Sequence, residues 1–351
     1  LDAYTTKEST CFYARVLEEH TELALDVLTD LLTQPLFREE DVTKERSVIL
    51  EEIKSLEDNP EELVGDLAMT HLWPKQIMGD SILGTEDSLG NLDAAAVRDF
   101  HQTRYGRPRV VVGATGAVDD KIMRDWLHAN FGLDHEVPPQ LRELPHSRSG
   151  TMACYTRDIS QLHLNLFTDA PALDDPRRPA VQLLAEVLGG GMSSRLFQRI
   201  RERSGLAYSV YSYSEHFSDS GMFGVGMAVS PEKGQEALEM VYAELEELQK
   251  NGLRNGELDA VKAQARGSLI MGEESLTNRM LRMAHSEYRL KEFESLSDKV
   301  DRYLQVTEDD VMEVAKALLP QEKLGLVALG PVTSNDLQFD HWTTVEEAVQ
   351  P

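Results

Sequence analysis

The spacing of apolar positions divides the chain into short strand-like stretches and longer helical ones. LDAYTTKESTCFYARVL, residues 1–17, alternates apolar and polar positions like two short strands, and EHTELALDVLTDLLTQPLF after it has helical spacing. EEDVTKERSVILEEIKSLED, residues 39–58, predicts one helix, because at about 100° per residue Val42, Ile49, Ile53 and Leu56 share a face. EELVGDLAMTHLWP and residues 92–105 are also helical in pattern, and RVVVGATGAV reads as a buried strand closed by a Gly turn. The Pro-rich EVPPQLRELPHSRSG is read as a linker, and TMACYTRDISQLHLNLFT beyond it is strand-like again.

Past the linker the order of elements returns: strands, a helix over 233–250, a Gly-Leu turn, a long helix, then a helix and a closing strand. Phe37, Arg38 and Val42 meet Leu253, Arg254 and Leu258 at an offset of roughly 216, and Val97, Gly116 and Val118 meet Val311, Gly330 and Val332 at roughly 214. Two distant anchors with nearly the same offset point to duplication. The expected fold is therefore α+β: two homologous domains, 1–140 and 150–340, joined by 141–149, each an antiparallel sheet with packed helices. A full unit of roughly 214 residues places the start of the first domain roughly 70 residues before Leu1, so that domain is expected to be incomplete at its front.

Glu45 and Glu52 interrupt the helix over residues 39–58. Seven residues are about two turns, so the two acids stack on one line beside Val48 and Ile49, on a stripe expected to be partly buried. A metal ion is one way to compensate such a pair, and a boundary position reaching solvent or an Arg is the other. Their counterparts at the repeat offset are Val261 and Ser268, so the pair belongs to one copy only.

Charge and cysteine usage narrow the partners. With 35 basic against 61 acidic residues the formal charge is -26, which argues against a nucleic-acid backbone as partner and permits attraction of basic peptides. No apolar run reaches the roughly 18–20 residues of a membrane span. Cys11 and Cys154 are the two cysteines, too few for a thiolate zinc cage.

LDAYTTKESTCFYARVL, PLFREEDVTKERSVILEEI, ILGTEDSL and GGGMSSRLFQRIRERSGLAYSVYS, in that order, resemble the pitrilysin/insulinase family of zinc metallopeptidases. The similarity is greatest to the branch of bacterial processing-protease-like enzymes and mitochondrial processing peptidase. It implies two domains arranged as facing half-shells and zinc-dependent hydrolysis of extended peptides in the chamber between them. By motif position it assigns the distant zinc ligand to Glu52 and the outer carboxylate to Glu45. The family's two His ligands and general base form H-x-x-E-H, roughly 75 residues upstream of that Glu. The motif is absent here, and none of the ten His lies three or four residues from another.

The resemblance also carries the R-x6-Y element onto Arg201 and Tyr208, which would hold the substrate backbone, and the family's peptide-pairing edge onto Asp2, Ala3 and Tyr4. The family commonly has Asn where this chain has Asp2. Pairing with a second copy or a related subunit, as homodimer or heterodimer, is implied as well. So is a second function, that of a non-catalytic scaffold or substrate-binding subunit.

Other candidates are read as structural. His71 and His163 sit among apolar neighbours, MLRMAH is helix packing, and AELEELQ is a solvated helix face. GGGMSSR is a tight turn feeding a helix, since it lacks the Lys and Ser or Thr of a phosphate loop.

Overall fold

The computed structural model describes residues 1–106, 109–131, 137, 143–291, 293–339 and 341–345. In chain order the first half forms β1 (Asp2–Thr5), β2 (Thr10–Tyr13), α1 (Thr21–Thr33), α2 (Glu39–Glu57), α3 (Pro60–Leu72), α4 (Glu86–Gly90), α5 (Ala94–Arg104) and α6 (Asp120–Asn130). The second half forms β3 (Thr151–Thr156), β4 (Leu162–Asp169), α7 (Arg178–Gly189), β5 (Ala207–His216), β6 (Gly221–Val229), α8 (Gly234–Asn251) and α9 (Glu257–Gly272). It ends with α10 (Leu276–His285), α11 (Leu296–Gln305), α12 (Glu308–Leu318), β7 (Gly325–Gly330) and β8 (Thr343–Thr344). Residues 141 and 142 of the expected linker lie outside the described residues.

The chain packs as two compact units, one of Leu1–Ile53, Ile82–Arg142 and Ser268–Leu296, the other of Lys54–Ser81, Glu143–Gly267 and Ser297–Pro351. In the second unit six strands run in the order β5-β6-β4-β7-β3-β8. The pairs β5–β6, β6–β4 and β4–β7 are antiparallel as expected, but β3 runs parallel to both β7 and β8, so the sheet is mixed. The cause is connectivity: β3 and β4 leave the linker in succession, yet β7 inserts between them from the far end of the chain.

Both faces of this sheet are covered, which explains why β6 and β7 carry no polar side chain at any position. Leu326 and Ala328 of β7 face a core built with Leu164, Val225 and Met227 and the buried sides of α7, α8 and α12. Val327 and Leu329 face the opposite way, into a cluster with Phe167, Met222 and the residues Leu63, Val64, Ala68, Met69 and Leu72 of α3. That helix is well specified locally. Asn59 caps it by accepting the Glu62 N–H, Pro60 occupies its first turn, and Pro74 follows its end. It is fastened by Arg157 Nη1 donating to the Glu57 carbonyl at 2.6 Å and by the Arg148 N–H donating to the Leu72 carbonyl at 2.8 Å. Burial of Leu72 contributes on the order of 1.5–3 kcal/mol.

The first unit has a thinner interior. Its sheet among the described residues is the antiparallel β1–β2 pair, with Ala3 opposite Phe12. Polar links do much of the joining: Arg98 donates to the Phe37 carbonyl at 3.1 Å, His101 Nε2 lies 2.8 Å from the Leu32 carbonyl, and the Ala94 N–H donates to Glu39. RVVVGATGAV is not a strand here. No described segment supplies the ladder partner that an apolar stretch needs to become one, and Val111 and Val112 stay exposed.

Candidate functional site

Helix α2 forms as the spacing requires, with Glu39, Glu40 and Asp41 in its first turn opposing the positive end of the helix dipole. Ile53 is buried and Val42, Ile49 and Leu56 are half-buried, as the apolar face demands. The expected partial burial of Glu45 and Glu52 is not found: both are exposed, and neither side chain hydrogen-bonds or pairs with a described residue. Val48, on the same strip, is 45% exposed. The strip is thus an uncovered surface carrying an apolar residue between two acids.

Zinc, which the family implies, needs three or four converging ligands. Among the described residues no group of three or more His, Cys, Asp and Glu side chains is placed to hold a metal. Glu52 can supply one carboxylate, but the described residues do not complete a site around it.

Ala3 lies exposed on β1, whose outer edge has no described partner. Asp2 turns back on this strand, taking the Ala3 N–H on Oδ1 and the Tyr13 hydroxyl on Oδ2, each at 2.9 Å. The Tyr13 hydroxyl, then the Ala3 N–H, hold the Asp2 carboxyl below the usual range. A peptide pairing at Ala3 through that N–H has to displace this carboxylate. Tyr4 does not sit in the core: it is half-buried, with its hydroxyl 3.3 Å from His285 Nε2.

Arg201 and Tyr208 are brought together. GGGMSSR turns into a helix as expected, but the turn Phe197–Arg203 is π-helical, with one more residue per hydrogen-bonded ring than an α-helix. Gly205, at φ 60°, then reverses the chain into β5. Ala207 pairs with Val229 and Ser209 with Ala228, leaving Tyr208 as the extra residue of a β-bulge on the edge strand. A bulge re-aims the side chain it carries. The Arg201 guanidinium lies 5.2 Å from the centre of the Tyr208 ring and 4.9 Å from that of Phe197, within cation–π range of both. Tyr208 remains 77% exposed.

Both core-histidine readings hold. His71 is buried with Nε2 2.7 Å from the Tyr155 hydroxyl, and burial pushes the His163 pKa down. The reading of AELEELQ as a solvated face is corrected at one residue. Glu246 and Glu247 are exposed, but Glu244 is buried, because three guanidinium groups compensate its charge. The signal available in sequence was its place on the inward arc between Val241 and Leu248. Phe197 was also missed, although it stands four residues before Arg201, one helical turn away.

The family model described as insulinase (peptidase family M16) matches residues 1–86, and that described as the peptidase M16 inactive domain matches residues 91–265. An uncharacterized zinc protease of Streptomyces coelicolor is 37% identical over 341 residues, 95% of this chain and 74% of its own length. The crystal structure of a peptidase M16 inactive domain from Pseudomonas fluorescens gives a TM-score of 0.81 at 23% identity, covering 90% of this chain and 76% of that one. A chain of complex III2 from Candida albicans gives 0.82 at 16% identity, covering 91% and 79%. At those identities the two structures speak for the fold alone, an α+β architecture of sheets with packed helices. The sequence matches go further: the chain belongs to the insulinase family, peptidase family M16.

Proposed function

We propose that this chain serves a zinc-dependent endopeptidase acting on extended peptides, with Arg201 and Tyr208 holding the peptide backbone and Glu52 furnishing one zinc-binding carboxylate beside Glu45. The observation that carries the reading is the Arg201–Tyr208 stack on the bulge of β5. A large aromatic left in water at the edge of a sheet, with a guanidinium laid over its ring, is a preassembled pair of donors for a peptide carbonyl. The formal charge of -26 favours basic peptides. The two His ligands and the general base that such a peptidase takes from H-x-x-E-H are not among these residues.

A second reading, that of a non-catalytic substrate-binding subunit, is favoured by the family model matching residues 91–265, whose description is that of an inactive domain. Both readings require Arg201→Ala to weaken binding of a fluorescein-labelled basic peptide. They part when the protein is joined to the family's H-x-x-E-H segment and given zinc. The peptidase reading expects hydrolysis of a quenched peptide, lost together with bound zinc in Glu52→Gln, and zinc affinity lowered roughly 10–100-fold in Glu45→Gln. Zinc content and hydrolysis indifferent to Glu52→Gln refute it. Peptide binding without hydrolysis supports the subunit reading.

A further inference from the structure

The segment that carries Arg201 is held by a set of charges centred on the buried Arg195 and Glu244. Arg195 is 1% exposed, yet its Nε donates to Glu257 Oε1 at 2.8 Å, and its Nη2 donates to Glu257 Oε2 at 2.5 Å and to the Gly252 carbonyl at 3.0 Å. Its Nη1 lies 3.6 Å from Glu244 Oε1. Glu244, 2% exposed, also meets Arg199 Nη1 at 2.9 Å and Arg254 Nη2 at 2.7 Å. Glu257 Oε2 in addition accepts the Arg254 N–H at 2.8 Å. Burial raises the Glu257 pKa, but hydrogen bonds from Arg195 and the Arg254 N–H outweigh it and hold the carboxyl below its ordinary value.

Such a network is a poor device for stability alone. Well-packed apolar side chains of similar volume usually do as well or better, since burying Arg195 and Glu244 is costly before the attraction of their partners returns it. What a bidentate guanidinium adds is a fixed orientation. Here it ties the residue two positions before the π-helical turn to the Gly252 turn and the start of α9, while Arg199 ties the turn itself to α8. A π-helical turn is an uncommon register, and losing its extra residue to α geometry rotates the succeeding residues by about 100° about the helix axis. Arg201 would leave the ring of Tyr208.

We propose that Arg195, Glu244 and Glu257 are positioning residues for Arg201: they hold the π-helical turn in the register that lays its guanidinium against Tyr208, and so set peptide affinity without touching the peptide. The inference rests on the reading of Arg201 and Tyr208 as the peptide grip.

Binding of a fluorescein-labelled basic peptide to the 351-residue chain tests it by anisotropy, without need of metal or turnover. Glu257→Gln keeps a side chain able to accept from Arg195 and is expected to weaken the peptide roughly tenfold, as is Arg201→Ala. The double variant Glu257→Gln/Arg201→Ala is expected to bind no worse than either single one, because both remove the same contact. Thermal unfolding of Glu257→Gln tracks folding in parallel, and Glu257→Asp, which retains the charge, should recover part of the affinity. Full additivity of the two losses, or unchanged affinity in Glu257→Gln while Arg201→Ala weakens binding, overturns the positioning role and leaves the grip standing. Unchanged affinity in Arg201→Ala overturns the grip, and the positioning role with it.

Discussion

His71 shows how little latitude a buried polar side chain has. Its Nε2 meets the Tyr155 hydroxyl inside the cluster formed by α3 and the sheet. Tyr155→Phe removes the hydroxyl that the buried Nε2 meets at 2.7 Å, which should cost about 1–3 kcal/mol in urea unfolding at neutral pH. An unchanged midpoint would mean that water replaces the hydroxyl. His163 and His216 add a pH dependence. Burial depresses both below the ordinary 6.5, with the Pro171 carbonyl pulling His216 partly back up. The unfolded chain takes up protons near pH 6.5 that the folded chain refuses, so their contribution is complete above about that pH and is lost as pH falls through the folded values. Urea midpoints should therefore drop between about pH 7.5 and about pH 5.5, and His163→Gln, neutral throughout, should flatten part of that drop. A slope identical in the variant would remove His163 from the account. His71 and His163 were legible in sequence because they lie in apolar stretches, MTHLWP and SQLHLNL, whereas His216 follows Glu215 and carried no such signal. Glu244 was less legible: its neighbours suggest solvent on one side, and the guanidinium groups that compensate it come from positions 195, 199 and 254.

At the scale of elements, β6 is shaped by what lies across it. The rings of Tyr213 and Tyr211 cover Gly224 and Gly226, and a Cβ at Gly224 would stand 2.4 Å from the Tyr213 ring. Tyr213 cannot retreat, since its buried hydroxyl exchanges hydrogen bonds with the Asn165 side chain at 3.0 and 3.1 Å. Gly224→Ala should cost about 1–3 kcal/mol by denaturant unfolding. Helix α12 offers a local comparison. Thr307 and Asp310 form a reciprocal capping box, so Thr307→Ala should cost about 1 kcal/mol while leaving peptide binding alone. Helix limits were readable because caps, prolines and apolar spacing act within one or two turns. RVVVGATGAV was misread for the complementary reason: an apolar run becomes a strand only when another strand offers its hydrogen bonds.

The two units differ in how much apolar surface they enclose. The second wraps both faces of a six-stranded sheet, whereas the first leaves Leu23, Leu36, Phe100 and Ile122 exposed and buries few side chains among its described residues. Local opening should follow that difference. Amide hydrogen exchange followed by mass spectrometry should find β4 and β7 slowest and α1, α5 and α6 markedly faster. Equal protection would show that the first unit has an interior not evident from its described residues.

Sequence by itself determined the helices and the family, because both are written in local spacing or in motif order. Tertiary structure alone decided that α3 closes one face of the later sheet, that β7 parts β3 from β4, and that Glu45 and Glu52 lie exposed. It also decided that a π-helical turn and a bulge aim Arg201 at Tyr208. Burial, ladder pairing and charge compensation each require a partner distant in the chain, and spacing along a sequence cannot name that partner.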